Sequence, residues 1–378
     1  MDLKAPTTFL VVEASQGERV HGLLKTNGWL EAHVEPLREE AGTIGFPLVA
    51  GADAETVREA AYSELGVPSE CIVAEVARRA SVDPHHRLTN AVQSWLDTHQ
   101  RSLKTDALVP SKWERLGDLV LFPQEWRQSE VWATVRRHPH ATALWKAMAE
   151  ALKVTSLGVQ APIADDTFRS SQVEMLLGSS EVEFTDHGMT YVFDAAKVMF
   201  SSGNVTERRR IGAMNMQGEV VVDAYAGVGY YTFPMLVHAG AAHVHACEIN
   251  PASIAGLRAG ASANGLRERL TVHEGDNQVA LLGLKGVADR CHLGLLPSSE
   301  PVWEPCLLAL KPSGGVLHVH MNVEEERIEA WTAATIDTFE ALVAQHGLGF
   351  TVQAEHLERV KWFAPRVRHV VLDLSLRP

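Results

Sequence analysis

Cysteine is scarce in this chain: four in 378 residues, at Cys71, Cys247, Cys291 and Cys306, with no CxxC pair and no regular spacing. That excludes a disulfide framework and a cysteine-based zinc site, and it fits a reducing compartment. Long hydrophobic runs are absent too. No stretch of about 18 apolar residues exists, so no spanning helix is expected. The opening Met1-Asp2-Leu3-Lys4 has no basic n-region, and Phe9 to Val12 is too short for a signal-peptide core, so the expected location is the cytoplasm. Basic residues are also in short supply. Thirty-four Lys and Arg face 47 Asp and Glu, a formal charge of −13, which argues against a non-specific polyanion binder.

What is present is ordinary for a globular protein. The chain is 46% apolar and 21% charged, which rules out disorder throughout, and no low-complexity segment or internal repeat occurs. At about 150 residues per domain the length suggests two or three domains. The charge is uneven. Residues 1–100 hold 8 basic and 15 acidic side chains, whereas residues 101–150 hold 8 and 6. The basic members of that middle segment are Arg101, Lys104, Lys112, Arg115, Arg127, Arg136, Arg137 and Lys146.

Apolar periodicity predicts a strand over 8–14, a helix over 17–27 stopped by Gly28, a strand over 44–49 and helices over 54–65 and 90–98. The polar stretch 99–111 reads as a linker. A strand over 116–122 and a helix over 142–152 follow. Two strands, 173–184 and 190–193, flank a turn at Asp186-His187-Gly188. From Gly218 the rhythm becomes strand, Gly-rich turn, helix, strand, the pattern of a doubly wound parallel sheet. The expected division is 1–105, 106–195 and 196–378.

The chemistry concentrates in the last part. Glu219 to Asp223 is an apolar strand ending in a carboxylate, and Ala226-Gly227-Val228-Gly229 follows, then Tyr230 opens a helix. A strand that runs through Gly-x-Gly into a helix lets a ligand approach the backbone. A dinucleotide fingerprint wants a third glycine where Thr232 stands. The strand-end Asp223 favours a cationic sulfonium over a pyrophosphate, so S-adenosylmethionine (AdoMet) is the expected co-substrate. A second strand, 242–247, carries Glu248 at its tip, where an acid takes ribose hydroxyls. A third, 270–273, is followed by Asp276-Asn277, placed to accept the adenine amino group. The competing reading is that each acid caps a helix.

Other candidates divide less clearly. His243 with His245, and His318 with His320, share strand faces at period two. They meet the minimum for a metal site, but alternate strand histidines more often line a pocket or bond within a core, and no metal is expected. The run Arg208-Arg209-Arg210 reads either as a solvated helix start or as a group serving cofactor or nucleic acid.

Several of these stretches together resemble one family, the tRNA wybutosine-synthesising aminocarboxypropyl transferases, most closely in their eukaryotic form. The resemblance rests on 197–210 (KVMFSSGNVTERRR), 222–230 (VDAYAGVGY), 236–248 (LVHAGAAHVHACE), 275–277 (GDN), 293–300 (LGLLPSSE), 317–320 (LHVH) and 362–371 (WFAPRVRHVV). It is weaker at 114–121 and, within the first 100 residues, is limited to 9–30 and Phe46-Pro47. The family is sister to the tRNA guanine-37 N1-methyltransferases. The resemblance implies a class I AdoMet-dependent methyltransferase-like, Rossmann-type α/β fold with smaller N-terminal α/β domains. It implies transfer of the 3-amino-3-carboxypropyl group of AdoMet to 4-demethylwyosine at position 37 of phenylalanine tRNA, with methylthioadenosine released. The partner would be the anticodon loop of phenylalanine tRNA, with the middle domain facing the tRNA and a basic track from Arg101 to Lys146 with Arg208 to Arg210.

On that resemblance Ser201, Arg208, Glu248, Asp276 and Asn277 contact AdoMet, beside Asp223, Ala226, Gly227, Gly229 and Tyr230 of the Gly-rich turn. A guanidinium at Arg208 suits the carboxylate of the amino-acid tail. Amino-directed methyltransferases of this fold place an Asn or Asp two residues before a Pro after the fourth strand. Here the positions read Leu295-Leu296-Pro297-Ser298, with Pro297 and Ser298 as the substrate wall. Leu295 accepts no hydrogen bond, which suits attack by a ring carbon and not by an N–H. Met321 departs from the archaeal pattern, where an acid often follows the histidine pair. No catalytic nucleophile or base is assigned. The alternatives are a tRNA guanine-37 N1-methyltransferase and a non-catalytic RNA-binding scaffold.

Overall fold

Glycines and short apolar runs divide the chain into many small elements, and a computed structural model shows how they assemble. It describes residues 4–31, 34–38, 42–77, 83–162, 168, 170–200 and 202–378. They fall into two units, one ending at His86 and one beginning at Arg87.

In the first unit an antiparallel sheet has the order Leu37–Arg38, Thr43–Pro47, Lys4–Glu13, Glu70–Ala77. Helices Gly17–Thr26 and Ala54–Leu65 pack Val20, Leu24, Val57 and Ala61 against Leu10, Val12 and Phe46. Asp53 caps the second helix through the Thr56 N–H, and Gly66, at φ 67°, ends it. The strand Glu70–Ala77 was not expected. Its apolar residues lie on both faces, with Val73 70% exposed, so no alternation betrays it.

The second unit opens with a small sheet of Glu114–Leu116, Leu119–Phe122, Ser156–Val159 and Glu174–Leu177. Helices Pro84–His99, Glu130–Arg136 and Ala141–Leu152 cover it, around Trp126, Trp132 and Trp145, whose rings meet at tilted and edge-on angles. The polar stretch 99–111 is no free linker. Leu108 is fully buried in this core, and its carbonyl accepts a hydrogen bond from the Trp126 indole at 3.2 Å. Two expected strands are each split by a glycine at positive φ. Gly117 (φ 59°) makes a hairpin of 114–122, and Gly178 (φ 74°) separates Glu174–Leu177 from Glu181–Asp186. The latter pairs with Met189–Asp194 across the His187-Gly188 turn.

The large sheet follows the expected winding. Its strands are β1 (Val220–Asp223), β2 (His243–Glu248), β3 (Leu270–Glu274), β4 (Arg290–Leu293), β5 (Gly315–Glu324), β6 (Thr351–Ala364) and β7 (Val367–Arg377). Their order is 3-2-1-4-5-7-6, parallel except that β7 runs antiparallel to both neighbours. Strand order reverses at β1, between β2 and β4, and ligands bind such sheets at the carboxyl ends there. Four helices matter for the site: α1 (Val205–Gly212), α2 (Thr232–Val237), α3 (Pro251–Ala263) and α4 (Asn277–Leu282). No helix among the described residues is long and apolar enough to cross a membrane.

One face of this sheet is polar although buried. Arg210 of α1 holds Glu207 with two 2.8 Å bonds and reaches Asp373 of β7 at 2.6 Å. Asp373 also takes His318, which bonds Arg290 at 2.9 Å, and Arg290 grips Glu219 at 2.7 and 3.0 Å. Beside them His292, His320 and His369 form a chain with two 3.0 Å N···N bonds. Burial holds His318 and His369 down to about 4 and His320 well below the usual imidazole range.

These three imidazoles are neutral in the fold and bind protons on unfolding below about pH 6.5. Burial raises the carboxyls of Glu207 and Glu248, which act in the opposite sense. The imidazoles outnumber them, so the urea midpoint should fall as pH drops from 7 to 5, with the unfolding free energy lowered by up to about 1.4 kcal/mol per pH unit for each imidazole. A midpoint that stays level or rises over that range would contradict the buried neutral set.

Candidate functional site

The apolar strand β1 delivers Asp223 to its carboxyl end, where the side chain is fully buried. Its Oδ2 accepts the Thr232 hydroxyl at 2.7 Å and its Oδ1 lies 3.7 Å from His292 Nδ1. Thr232 thus does a specific task at the position where a dinucleotide fingerprint has glycine. The turn after Asp223 requires its two glycines. Gly227 has φ 57° and Gly229 φ 99°, and a Cβ on either would stand 2.4 Å from the Tyr230 ring or 2.6 Å from Phe233.

Glu248 joins this turn to the second strand tip. Its Oε2 accepts the Gly227 N–H at 2.7 Å, and its Oε1 accepts the N–H groups of Ile249 and Asn250 at 2.9 and 2.8 Å. Burial pushes its carboxyl above the ordinary range, and these three donors oppose the shift. With both sites of Oε1 taken, Oε2 keeps acceptor capacity for a hydroxyl donor. Ala226 is buried and donates to the Cys247 carbonyl at 3.0 Å, which fixes the turn on β2.

The third tip is drawn in by Asn277, whose Nδ2 donates to the Ala224 carbonyl at 2.9 Å. Asp276 caps α4 by accepting the Gln278 N–H at 2.8 Å, and its side chain is exposed. The capping alternative therefore describes Asp276 but not Asp223 or Glu248. After β4, the Pro297 carbonyl accepts the Asn322 N–H at 2.9 Å, and Ser298 bridges Met321. Met321 itself packs in the apolar core.

The remaining expected residues lie on the other side of the turn. Ser201 falls outside the described residues. Tyr230 donates its hydroxyl to the Met199 carbonyl, and its ring centroid is 5.3 Å from that of Phe200. Arg208 places its guanidinium 5.3 Å from the same ring and pairs with Asp186 at 2.8 Å, with only 3% of the residue exposed. Phe200 therefore links Arg208 to the Gly-rich turn. The three arginines of the run part company. Arg208 and Arg210 point inward to carboxylates and only Arg209 is exposed, so the run is no RNA-facing track.

A cavity of about 430 Å³ adjoins this segment, walled by Phe193, Val198, Met199, Phe200, Gly203 and Lys361 and, opposite, by Glu114, Glu125 and Gln160. Lys361 and Phe200 were missed in the sequence. Phe200 sits inside the motif 197–210 and Lys361 just before 362–371, and neither residue type announces a role by itself. The histidine pairs do not combine. His243 bonds Thr271 and His245 bonds His273, far along the sheet from His318 and His320. No cluster of three or more metal-ligating side chains forms among the described residues.

Comparison with known proteins accords with this geometry. The TRM5/TYW2 methyltransferase domain model matches residues 182–349, and the TYW2 N-terminal domain model matches residues 98–181. The tRNA wybutosine-synthesizing protein 2 homolog of Danio rerio is 35% identical, over 94% of this chain and 95% of its own length. The protein 2/3/4 of Arabidopsis thaliana is 39% identical over 81% of this chain, which spans only 30% of that longer relative. Among solved structures, P. horikoshii TYW2 in complex with MeSAdo has a TM-score of 0.62 and 26% identity, covering 76% of this chain and 99% of that one. M. jannaschii TYW2 in complex with AdoMet has a TM-score of 0.54 and 25% identity, covering 70% and 99%.

The Asp223–Thr232 contact gives a direct test. Thr232→Val keeps the shape and removes the donor, leaving a buried carboxylate short of a partner. It should destabilise the fold by about 1–3 kcal/mol in urea titration. No change in the unfolding midpoint would show that the hydroxyl does not hold Asp223.

Proposed function

Because the chain belongs to the tRNA wybutosine-synthesizing protein 2 family, we infer that it is an AdoMet-dependent tRNA-modifying transferase of wybutosine biosynthesis. It transfers the 3-amino-3-carboxypropyl group. The finer reading is that the acceptor is 4-demethylwyosine at position 37 in the anticodon loop of phenylalanine tRNA, and that the enzyme works in the cytoplasm.

AdoMet, when bound, supplies an electrophilic Cγ and a sulfonium leaving group. The chain's own part is placement. Glu248, fixed by three backbone N–H groups, receives the ribose hydroxyls. Gly227 and Gly229 let the turn close against the Tyr230 and Phe233 rings, and the nucleoside is assigned to the backbone of that turn. Asp276 and Asn277 take the adenine edge, and Asp223, buried behind the turn, keeps a negative potential near the sulfonium. Arg208, with Ser201, is assigned to the amino-acid tail. Its present partner Asp186 would share the guanidinium, which has donors for two carboxylates. Holding the tail so that Cγ faces the acceptor selects the C–S bond that breaks. Pre-positioning of two reactants is worth about 7–11 kcal/mol of barrier.

The observation that carries this reading is the Glu248–Gly227 link, because it puts a ribose-binding carboxylate and a ligand-admitting turn at the reversal point of the sheet. Pro297 and Ser298 form the wall for the acceptor, with Leu295 leaving no acceptor for a ring N–H. For the tRNA body we assign the middle segment. Within it Arg127 and Arg136 pair with Glu174, and Arg115 bonds the carbonyls of Gly117, Leu152 and Lys153. Arg101, Lys104, Lys112, Arg137 and Lys146 are exposed, and so are Arg115 and Arg136 despite those contacts.

Two measurements test the assignment. AdoMet labelled in the carboxypropyl group should transfer label to tRNA that lacks this step, whereas methyl-labelled AdoMet should not. Methyl transfer alone would establish the methyltransferase instead, and no transfer from either would leave a scaffold. Separately, Glu248→Ala should weaken AdoMet binding at least about tenfold by calorimetry, since hydrogen bonds to a charged acceptor are worth about 1.5–3 kcal/mol each. An unchanged Kd would remove Glu248 from the ribose site.

A further inference from the structure

Replacing a ring C–H by a C–C bond releases a proton, and none of the residues assigned above receives it. We propose that Lys361 is the general base of the transfer, taking the proton from the acceptor carbon. This rests on the reaction inferred above.

The placement is specific. Lys361 lies on β6 in register with His369 of β7, and its side chain reaches the wall of the 430 Å³ cavity beside Phe200 and Gly203. A space of that size suits a heterocyclic base. Met199, Phe200 and Gly203 of the cavity wall adjoin the Tyr230 and Arg208 contacts, so a base lodged there stands next to the assigned tail of AdoMet. Gly203 keeps room for the amine, because a Cβ at that position would stand 2.7 Å from Nζ.

The charges around Lys361 favour its neutral form. Arg208 of α1 faces it from one side, and the buried imidazole of His369 flanks it on the sheet. Across the cavity stand Glu114 and Glu125. Glu114 already accepts a 2.8 Å bond from Gln160, and neither carboxylate forms an ion pair with Nζ. Burial first, then Arg208, holds the amine below the usual lysine range. A half-buried amine with no carboxylate partner among the described residues, next to a like charge, is how proteins prepare a lysine to accept a proton.

The step balances. The ring carbon donates its electron pair to Cγ of AdoMet, and the C–S bond electrons leave with methylthioadenosine. The C–H electrons then return to the ring as the proton passes to Lys361 Nζ. The resulting ammonium loses its proton to water through the open cavity after product release.

The experiment is single-turnover transfer of carboxypropyl label to acceptor tRNA by the full chain, with calorimetric AdoMet binding alongside. Lys361→Ala and Lys361→Arg should both slow transfer by about 100-fold or more. AdoMet Kd should stay within about twofold. Arginine is the discriminating variant because it keeps the charge and cannot act as a base. Methylamine should restore the alanine variant in proportion to its neutral form. The wild-type rate should rise with pH along a limb that both variants lack.

Full activity of Lys361→Arg, or a raised AdoMet Kd in Lys361→Ala with transfer rate intact at saturation, would overturn the proposal and make Lys361 a carboxylate-binding cation. Lack of amine rescue together with a pH profile unaltered by the substitution would also overturn it. Failure of the wild-type chain to transfer this label at all would instead count against the underlying reaction.

Discussion

Arg210 holds the catalytic half together. Its guanidinium stands between Glu207, one turn back on its own helix, and Asp373 on β7, which joins α1 to the far side of the sheet. Glu207 is fully buried and Asp373 nearly so. Removing the cation would strand two carboxylates in a low dielectric, a change that typically costs about 3–5 kcal/mol for a buried pair. The neighbouring polar groups depend on the same tie. Asp373 holds His318, which meets Arg290, which meets Glu219 at the start of β1. One cation thus sets where α1 lies, and α1 carries Arg208 into contact with Phe200 and brings Gly203 up to Lys361.

The Gly-rich turn obeys a different constraint. There the backbone is kept bare. Gly227 and Gly229 have no side chain because the rings of Tyr230 and Phe233 occupy that space. Glu248 uses the exposed N–H of Gly227 and so fixes the turn without filling it. The two halves differ in what they tolerate. The charged face fails if a partner is lost, whereas the turn fails if an atom is added.

The turn was legible in the sequence because glycine spacing and strand-tip acids are local signals. Glu248 stands one strand after Asp223 at a separation that the winding fixes, and no tertiary knowledge is needed to pair them. The rest depended on contacts remote in sequence. The run from Arg208 to Arg210 looks like one patch, yet successive helix residues project about 100° apart. The three arginines meet Asp186, solvent and the Glu207–Asp373 pair respectively. Strand β6 hid Lys361 for a geometric reason. Register shifts at Ala354/His356, Arg359/Lys361 and Trp362/Ala364 break its alternation, so no period-two pattern marks which side chains face inward. Gly117 and Gly178 concealed two strand ends in the same way, as single residues inside apolar runs.

The same distinction between composition and position settles what the net charge of −13 means for an RNA substrate. A formal count treats every acid as surface. Glu207, Asp223 and Asp373 are buried and paired or hydrogen-bonded within the fold, and Glu248 is tied to three backbone donors. Two arginines are likewise internal. What a polyanion meets is the exposed remainder, and over the middle segment that remainder includes Lys104, Lys112, Arg137 and Lys146. With a Debye length of about 8 Å at physiological salt, a phosphate senses mainly the charges within a few side chains. The overall acidity therefore opposes indiscriminate RNA binding, while the exposed cations of the middle segment act locally and are not cancelled by the formal total.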